Sequence, residues 1–185
     1  MYSLLVKLIT FGAVRNRNSG RMPDQRELVS LAADLLRVLK QDRRRMAVAE
    51  SCTGGLVGHL LTEVPGSSDV FAGGAITYDN QLKQQIGVDA GLLETEGAVS
   101  SAVAEAMATG IRKHTGTSLG IAVTGIAGPT GGSAAKPIGL TYVAIADDDG
   151  VVSEEHIWRG NRSTTKQLSA QAALRLALSR ARGPA

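Results

Sequence analysis

The sequence holds a single cysteine, Cys52, so no disulfide closes within the chain and no multi-cysteine zinc site can form. One thiol fits a reducing compartment, and a cytoplasmic protein is expected. Aromatic residues are scarce: two Phe, one Trp and three Tyr, 3% of the chain. The core must therefore be built from Ala, Val, Leu and Ile. Base stacking on single-stranded nucleic acid would also lack its aromatic platforms. The formal net charge is only +3, with much of the excess in Arg43–Arg45 and in the last helix, so no nucleic-acid partner is expected. No apolar run reaches transmembrane length, and no membrane role is expected. His59, His114 and His156 lack metal-ligand spacing and form no HExxH run. They read as surface or satisfied histidines, and no metal is expected.

What is present suits one domain plus a tail: 185 residues, 43% hydrophobic, with 22 glycines that suggest many tight turns. Residues 1–22 carry an apolar patch followed by basic residues, the reverse of a secretory signal. They read as a poorly ordered extension, with an amphipathic docking segment as the weaker alternative. Residues 23–185 read as the domain.

Along that domain, Pro23-Asp24 starts a helix whose leucines recur at helical spacing to about Gln41. Arg43–Arg45 reads as a solvated connector. A buried strand follows over Arg45–Glu50, then a helix over Thr53–Val64 that Pro65-Gly66-Ser67-Ser68 ends. Val70–Tyr78 is a strand whose Gly73 and Gly74 imply a bulge or a close backbone approach. Asp79–Ile86 is a short helix with an Asx cap, and Asp89–Leu93 another helical turn. Ser100 caps a helix that runs to His114 with Gly116 beyond it. Leu119–Thr124 is a strand, Gly125–Pro137 a long Gly/Pro-rich loop, and Ile138–Ala146 with Val151–Trp158 a hairpin. Asn161–Arg182 is an amphipathic helix with Leu168, Ala172, Leu176 and Ser179 in one row. Alternating strands and helices with one late hairpin predict an α/β layered domain: a mixed, mostly parallel sheet flanked by helices.

If the strands before Ser51–Gly55, Tyr78–Lys83 and Gly125–Pro137 are parallel, those three loops converge at their carboxyl ends, where open α/β sheets bind ligands. The first offers Ser51 beside amides at a helix start, which favour a phosphate or a developing oxyanion. Ser51 or Thr53 could equally be a plain N-cap, with Gly54 and Gly55 easing the turn. The second loop offers Tyr78, Asn80 and Lys83. The third offers glycine amides, among them those of Gly131 and Gly132, with Thr124 just before them. No histidine is well placed as a base for a serine, and GxSxG is absent. Lys83 could be the base if burial or a nearby cation lowered its pKa, with Tyr78 holding or relaying the proton. A solvated helix lysine and a strand-end tyrosine remain open as alternatives. Cys52 is a rival nucleophile, or a small buried packing residue.

Read together, AESCTGG (Ala49–Gly55), VPGSSDVFAGGAITYDNQLKQQIGV (Val64–Val88), GAVS (Gly97–Ser100), VTGIAGPTGG (Val123–Gly132) and KPIG (Lys136–Gly139) resemble the CinA C-terminal domain family. The likeness extends over roughly Asp24–Arg180. It implies a nicotinamide-nucleotide amidohydrolase, which converts nicotinamide mononucleotide to nicotinate mononucleotide and ammonia. It implies Ser51 as nucleophile, Lys83 as general base, Tyr78 assisting, and Thr124 at the site's edge. No cofactor and no metal are implied; the partners are a small nucleotide substrate and further copies of the chain in a homo-oligomer. The family's GDR motif stands here as Gly160-Asn161-Arg162, which leaves any role of Arg162 loosely assigned. On this reading the amides at the Thr53 helix start would hold the oxyanion. Glycine amides of Gly131–Gly132, or Arg162, would hold the phosphate. The alternatives are a non-catalytic nucleotide-binding or competence/DNA-damage module, and an amidohydrolase of another pyridine carboxamide.

Overall fold

The computed structural model describes Arg15–Asn16 and residues 21–183. Most of the segment read as an extension therefore lies outside the described residues. Within it, β1 (Arg15–Asn16) pairs in parallel with a strand near the chain's other end.

Helix α1 (Gln25–Gln41) begins as its sequence predicts. Asp24 accepts from the Arg26 amide, and Glu27 accepts in return from the Asp24 amide, a reciprocal cap. Its leucine stripe, Leu28, Leu35, Leu36 and Leu39, is buried. Strand β2 (Met46–Glu50) is buried along its whole length. It lies between two parallel neighbours, which is why it reads as a continuous apolar run rather than an alternating one. Helix α2 (Leu56–Thr62) follows, then a 3-10 turn at Ser67–Asp69 and edge strand β3 (Phe71–Ile76). The predicted close approach is present. A Cβ on Gly74 would collide with the Val48 carbonyl of β2, and the β2–β3 register shifts between Met46 and Ala47.

Short helices α3 (Asn80–Gln85) and α4 (Ala90–Glu96) lead to α5 (Ser101–Thr115). Ser100 caps α5, and Gly116 ends it in the left-handed conformation. Strand β4 (Leu119–Gly125) runs parallel to β2 on its inner side. A Cβ on Gly120 would strike the Ala108 carbonyl, so this glycine sets how closely α5 sits on the sheet. The hairpin β5 (Leu140–Asp147) and β6 (Gly150–Ile157) is antiparallel. The last element is α6 (Arg162–Arg182), capped by Asn161.

The sheet order is β1-β6-β5-β4-β2-β3, with β2, β3 and β4 parallel and β5 running against them. One apolar cluster joins the sheet to α1, α2 and α6. A second, on the opposite face, joins it to α5 and the Ile86–Leu93 segment. The result is the layered α/β arrangement the sequence predicts.

One boundary needs correction. The helix expected over Thr53–Val64 starts only at Leu56, because Gly54 and Gly55 both take positive φ and hold Ser51–Gly55 as a turn. In α6 the row Leu168, Ala172, Leu176 and Ser179 forms one edge of the core face, with Leu168 and Ala172 buried in it. Leu176 is half-buried and Ser179 exposed. The centre of the buried face runs beside it, through Thr165, Ser169, Ala173 and Ala177. Ser169 accepts from Trp158 Nε1 at 3.0 Å and donates to the Thr165 carbonyl at 2.6 Å, so a polar residue serves the core there. Among the described residues, no helix is long and apolar enough to cross a membrane.

Candidate active site

Because β2, β3 and β4 are parallel, the segments after them meet at one end of the sheet. Two backbone bonds continue the pairing into the loops. The Ser51 amide donates to the Val123 carbonyl at 2.9 Å, and the Thr77 amide donates to the Glu50 carbonyl at 2.7 Å. Ser51 is thus fixed by main chain from both neighbouring strands.

Lys83 is the most unusual side chain in the fold. It is 1% exposed, the largest fully buried side chain, on a helix whose other residues face solvent. Its Nζ donates to the Thr77 carbonyl at 2.7 Å and to the Tyr78 carbonyl at 3.5 Å, and it lies 3.4 Å from Ser51 Oγ. Burial pushes the Lys83 pKa below the ordinary 10.5, against the opposing pull of Asp79 and Cys52. A neutral amine has two N–H donors for the two carbonyls and one lone pair for the Ser51 hydroxyl. The geometry provides a place for each.

The oxyanion arrangement differs from expectation. The first amides of α2 are already occupied. Glu50, 1% exposed, turns its carboxylate back to accept from Gly55 at 3.0 Å, Val57 at 3.1 Å and Gly58 at 2.8 Å. An oxyanion cannot use donors that a carboxylate holds. The amides of Cys52 and Thr53 make no backbone hydrogen bond to another described residue, and they stand directly after Ser51. Glu50→Ala would strip three amides, one buried and two partly buried, of their acceptor. We expect a loss of about 3 kcal/mol in urea unfolding, with Glu50→Gln retaining part of it. A change below about 1 kcal/mol for the alanine variant would refute this role.

The remaining predicted site residues divide. Thr53 is fully buried, and its hydroxyl has no partner among the described residues. Gly54 is exposed in the turn, whereas the Gly55 amide is committed to Glu50. Asn80 is exposed at the start of α3. Thr124 is buried, and its hydroxyl donates to the Ala98 carbonyl at 2.7 Å, tying β4 to the segment before α5. Gly131 and Gly132 lie in the exposed part of the loop after β4, Gly132 packed against Ile138. Tyr78 is 61% exposed, and its hydroxyl accepts from Arg162 at 3.1 Å. It makes no hydrogen bond to Ser51 or Lys83 in this geometry; the Tyr78 carbonyl, not its hydroxyl, meets Lys83. Arg162 also donates to the Gly128 carbonyl at 2.9 Å, so it bridges the glycine-rich loop and Tyr78. Cys52 is buried, and burial pushes its thiol up to about 12, so it stays protonated near neutral pH.

The family model described as CinA C-terminal domain matches residues 28–181. The chain belongs to the CinA C-terminal domain family. A CinA-like protein of Synechococcus sp. (strain RCC307) is 51% identical over 150 residues, covering 80% of this chain and 36% of the relative. A CinA-like protein of Acidobacterium capsulatum is 51% identical over 130 residues, 70% of this chain and 31% of the relative. The chain therefore spans about a third of the length of these curated relatives. Among solved structures, competence/damage inducible protein CihA from Agrobacterium tumefaciens superposes with a TM-score of 0.80 at 36% identity, covering 86% of this chain and 98% of that one. A competence-damaged protein (CinA) superfamily protein from Escherichia coli gives 0.80 at 30% identity, covering 88% and 96%.

In this CinA domain, sequence reasoning missed two contributors. Glu50 sits inside the AESCTGG motif, but N-cap rules look at residues flanking the helix, not at a strand residue that folds back. Lys166 of α6 places its Nζ beside the Ser51 turn, 3.7 Å from where a Cβ on Gly54 would stand. Its i,i+4 spacing from Arg162 was the available signal.

Proposed function

We propose that this CinA domain hydrolyses the carboxamide of nicotinamide mononucleotide to nicotinate mononucleotide and ammonia. The observation that carries the reading is the buried Lys83 amine 3.4 Å from the buried Ser51 hydroxyl. A fold gains nothing from burying an ammonium that burial penalises, whereas a general base for serine gains by being neutral.

Lys83 takes the Ser51 proton as Oγ attacks the carboxamide carbon. The negative charge moves to the carbonyl oxygen, where the Cys52 and Thr53 amides are the free donors. On collapse the C–N bond breaks, and the Lys83 ammonium returns the proton to the departing nitrogen, releasing ammonia. Water then attacks the acyl-enzyme, giving its proton to Lys83, and Ser51 is regenerated as the carboxylate product leaves. Tyr78 and Arg162 stand at the mouth, where they would border the nucleotide. A homo-oligomer in the cytoplasm is part of the same proposal.

The test is ammonia release from nicotinamide mononucleotide by the purified chain, with nicotinamide and other pyridine carboxamides as parallel substrates. Equal yields of ammonia and nicotinate mononucleotide are expected. Nucleotide binding without ammonia would favour a non-catalytic module. Ammonia from another carboxamide alone would replace the substrate.

A further inference from the structure

Helix α2 lacks a cap of the ordinary kind. Its N-cap residue is Gly55, which has no side chain to offer, and the acceptor comes instead from Glu50 at the end of a buried strand. That carboxylate has no ion-pair partner among the described residues. A buried carboxylate without a cation is a costly way to start a helix of 7 residues, since a serine or asparagine at the N-cap would serve locally. Its use lies in what two of the amides it holds would otherwise do. A helical N–H bonds the carbonyl four residues back. For Val57 and Gly58 those carbonyls belong to Thr53 and Gly54. Neither bond is made, and the first bond of the helix runs from the His59 amide to the Gly55 carbonyl at 2.8 Å. Glu50 takes both N–H groups in place of those carbonyls, while Gly54 and Gly55 stay in the left-handed region with φ of 62° and 94°. Without the carboxylate, the two N–H groups bond those carbonyls and α2 winds back through Gly54 and Thr53. The Cys52 and Thr53 amides are then drawn toward the helix axis and away from Ser51.

We propose that Glu50 is a positioning residue for the oxyanion: by keeping α2 from winding back into the Ser51 turn, its carboxylate keeps the Cys52 and Thr53 amides available to the charge that develops beside Ser51. This rests on the amidohydrolase reading. Glu50 acts through those two amides and not on the substrate. The main chain of the same residue serves the base. Its carbonyl accepts from the Thr77 amide at 2.7 Å, and the Thr77 carbonyl accepts from Lys83 Nζ at 2.7 Å. The end of β2 thus sets the base side with its backbone and the oxyanion side with its carboxylate.

The test compares wild type, Glu50→Ala and Glu50→Gln in the full chain, at a temperature where circular dichroism shows each of them folded. In Glu50→Ala, kcat for ammonia release from nicotinamide mononucleotide is expected to fall about 10²-fold, with KM within about threefold of wild type. Glu50→Gln keeps one of the two acceptor oxygens and should lose about tenfold. A kcat within about threefold of wild type in Glu50→Ala, or a loss that lies in KM, would overturn the assignment. Pyridine-3-boronic acid separates this role from the reaction. Its boron accepts Ser51 Oγ, the hydroxyl proton passes to Lys83, and the tetrahedral boron carries the negative charge, a change that boron NMR reads directly. Affinity for it should fall at least about tenfold in Glu50→Ala. An adduct that forms in wild type and weakens in Glu50→Ala, with no ammonia from wild type, would sink the amidohydrolase reading and keep the role of Glu50. Ammonia from wild type with adduct affinity unchanged in Glu50→Ala would sink the role of Glu50 alone. Neither adduct nor ammonia from wild type would overturn both.

Discussion

Ser51→Ala is expected to lower kcat for ammonia release by at least about 10⁴-fold while the nucleotide still binds. The magnitude follows from the role. Removing a nucleophile removes the covalent route altogether, and only the rate from bound, polarised substrate is left. Structural damage should be slight, because the amide that fixes Ser51 to Val123 is main chain and survives the substitution. The comparison that gives the result its meaning is Cys52→Ala. The thiol is the better nucleophile in principle, but only as a thiolate. Burial holds the Cys52 pKa at about 12, and its side chain belongs to the apolar cluster on the α1–α2–α6 face. Cys52→Ala keeps the main-chain amide that follows Ser51, so kcat should stay within about threefold of wild type. Stability should drop by about 1–2 kcal/mol from the space left behind. Steady-state ammonia assays on both variants decide the matter. Activity lost in the cysteine variant and kept in the serine variant would reverse the assignment.

The parts of the fold that were legible in the sequence are those whose signals are local. Ser100 and Gly116 bracket α5, Asp24 and Glu27 open α1, and Asp79 opens α3, each through contacts within a few residues. The burial of β2 was legible because both its neighbours are parallel strands, which leaves no solvent face to alternate with. The start of α2 was not. Gly54 and Gly55 read as a turn that eases into a helix, yet the acceptor that delays the helix is Glu50, a charged residue inside a buried strand. Composition rules place such a residue outside. The site shows the same division. Type and position leave Ser51 and Lys83 as candidates beside an N-cap and a solvated lysine; it is the resemblance to the CinA C-terminal domain family that implies their roles. The hydroxyl of Tyr78 was expected on the proton path and instead faces Arg162, since its position depends on where α6 begins across 84 residues of chain. Lys166 carries no mark in sequence beyond lying one turn from Arg162; only the fold brings its Nζ near the Gly54 turn, 3.7 Å from where a Cβ would stand.

Lys83→Met should reduce ammonia release by about 10³–10⁴-fold, the range a positioned general base supplies. Lys83→Arg should be as damaged, although it keeps the positive charge. A guanidinium does not give up its proton in the working range and cannot accept one from Ser51. Retained activity in the arginine variant would mean that Lys83 acts by charge alone and that the base lies elsewhere. The pH dependence carries the same argument. Burial favours the neutral amine, so kcat/KM in wild type should climb with pH and level off below 10.5, the ordinary lysine value. Stability should follow with a definite sign. With its pKa depressed by folding, Lys83 binds its proton more tightly in the unfolded chain. The cost of burying the charge is therefore full below the folded pKa. It falls away as pH rises from that pKa toward 10.5, so wild-type stability gains over this window. Lys83→Met has no such proton to lose. The wild-type minus variant difference in urea unfolding free energy should begin to rise where kcat/KM levels off, at the folded pKa, and continue to rise toward 10.5. A catalytic limb with no matching rise in that difference would assign the titration to another group. A flat kcat/KM beside a difference that still rises toward 10.5 would mean the buried amine is never charged in the working range, and then only the arginine variant reports on its role.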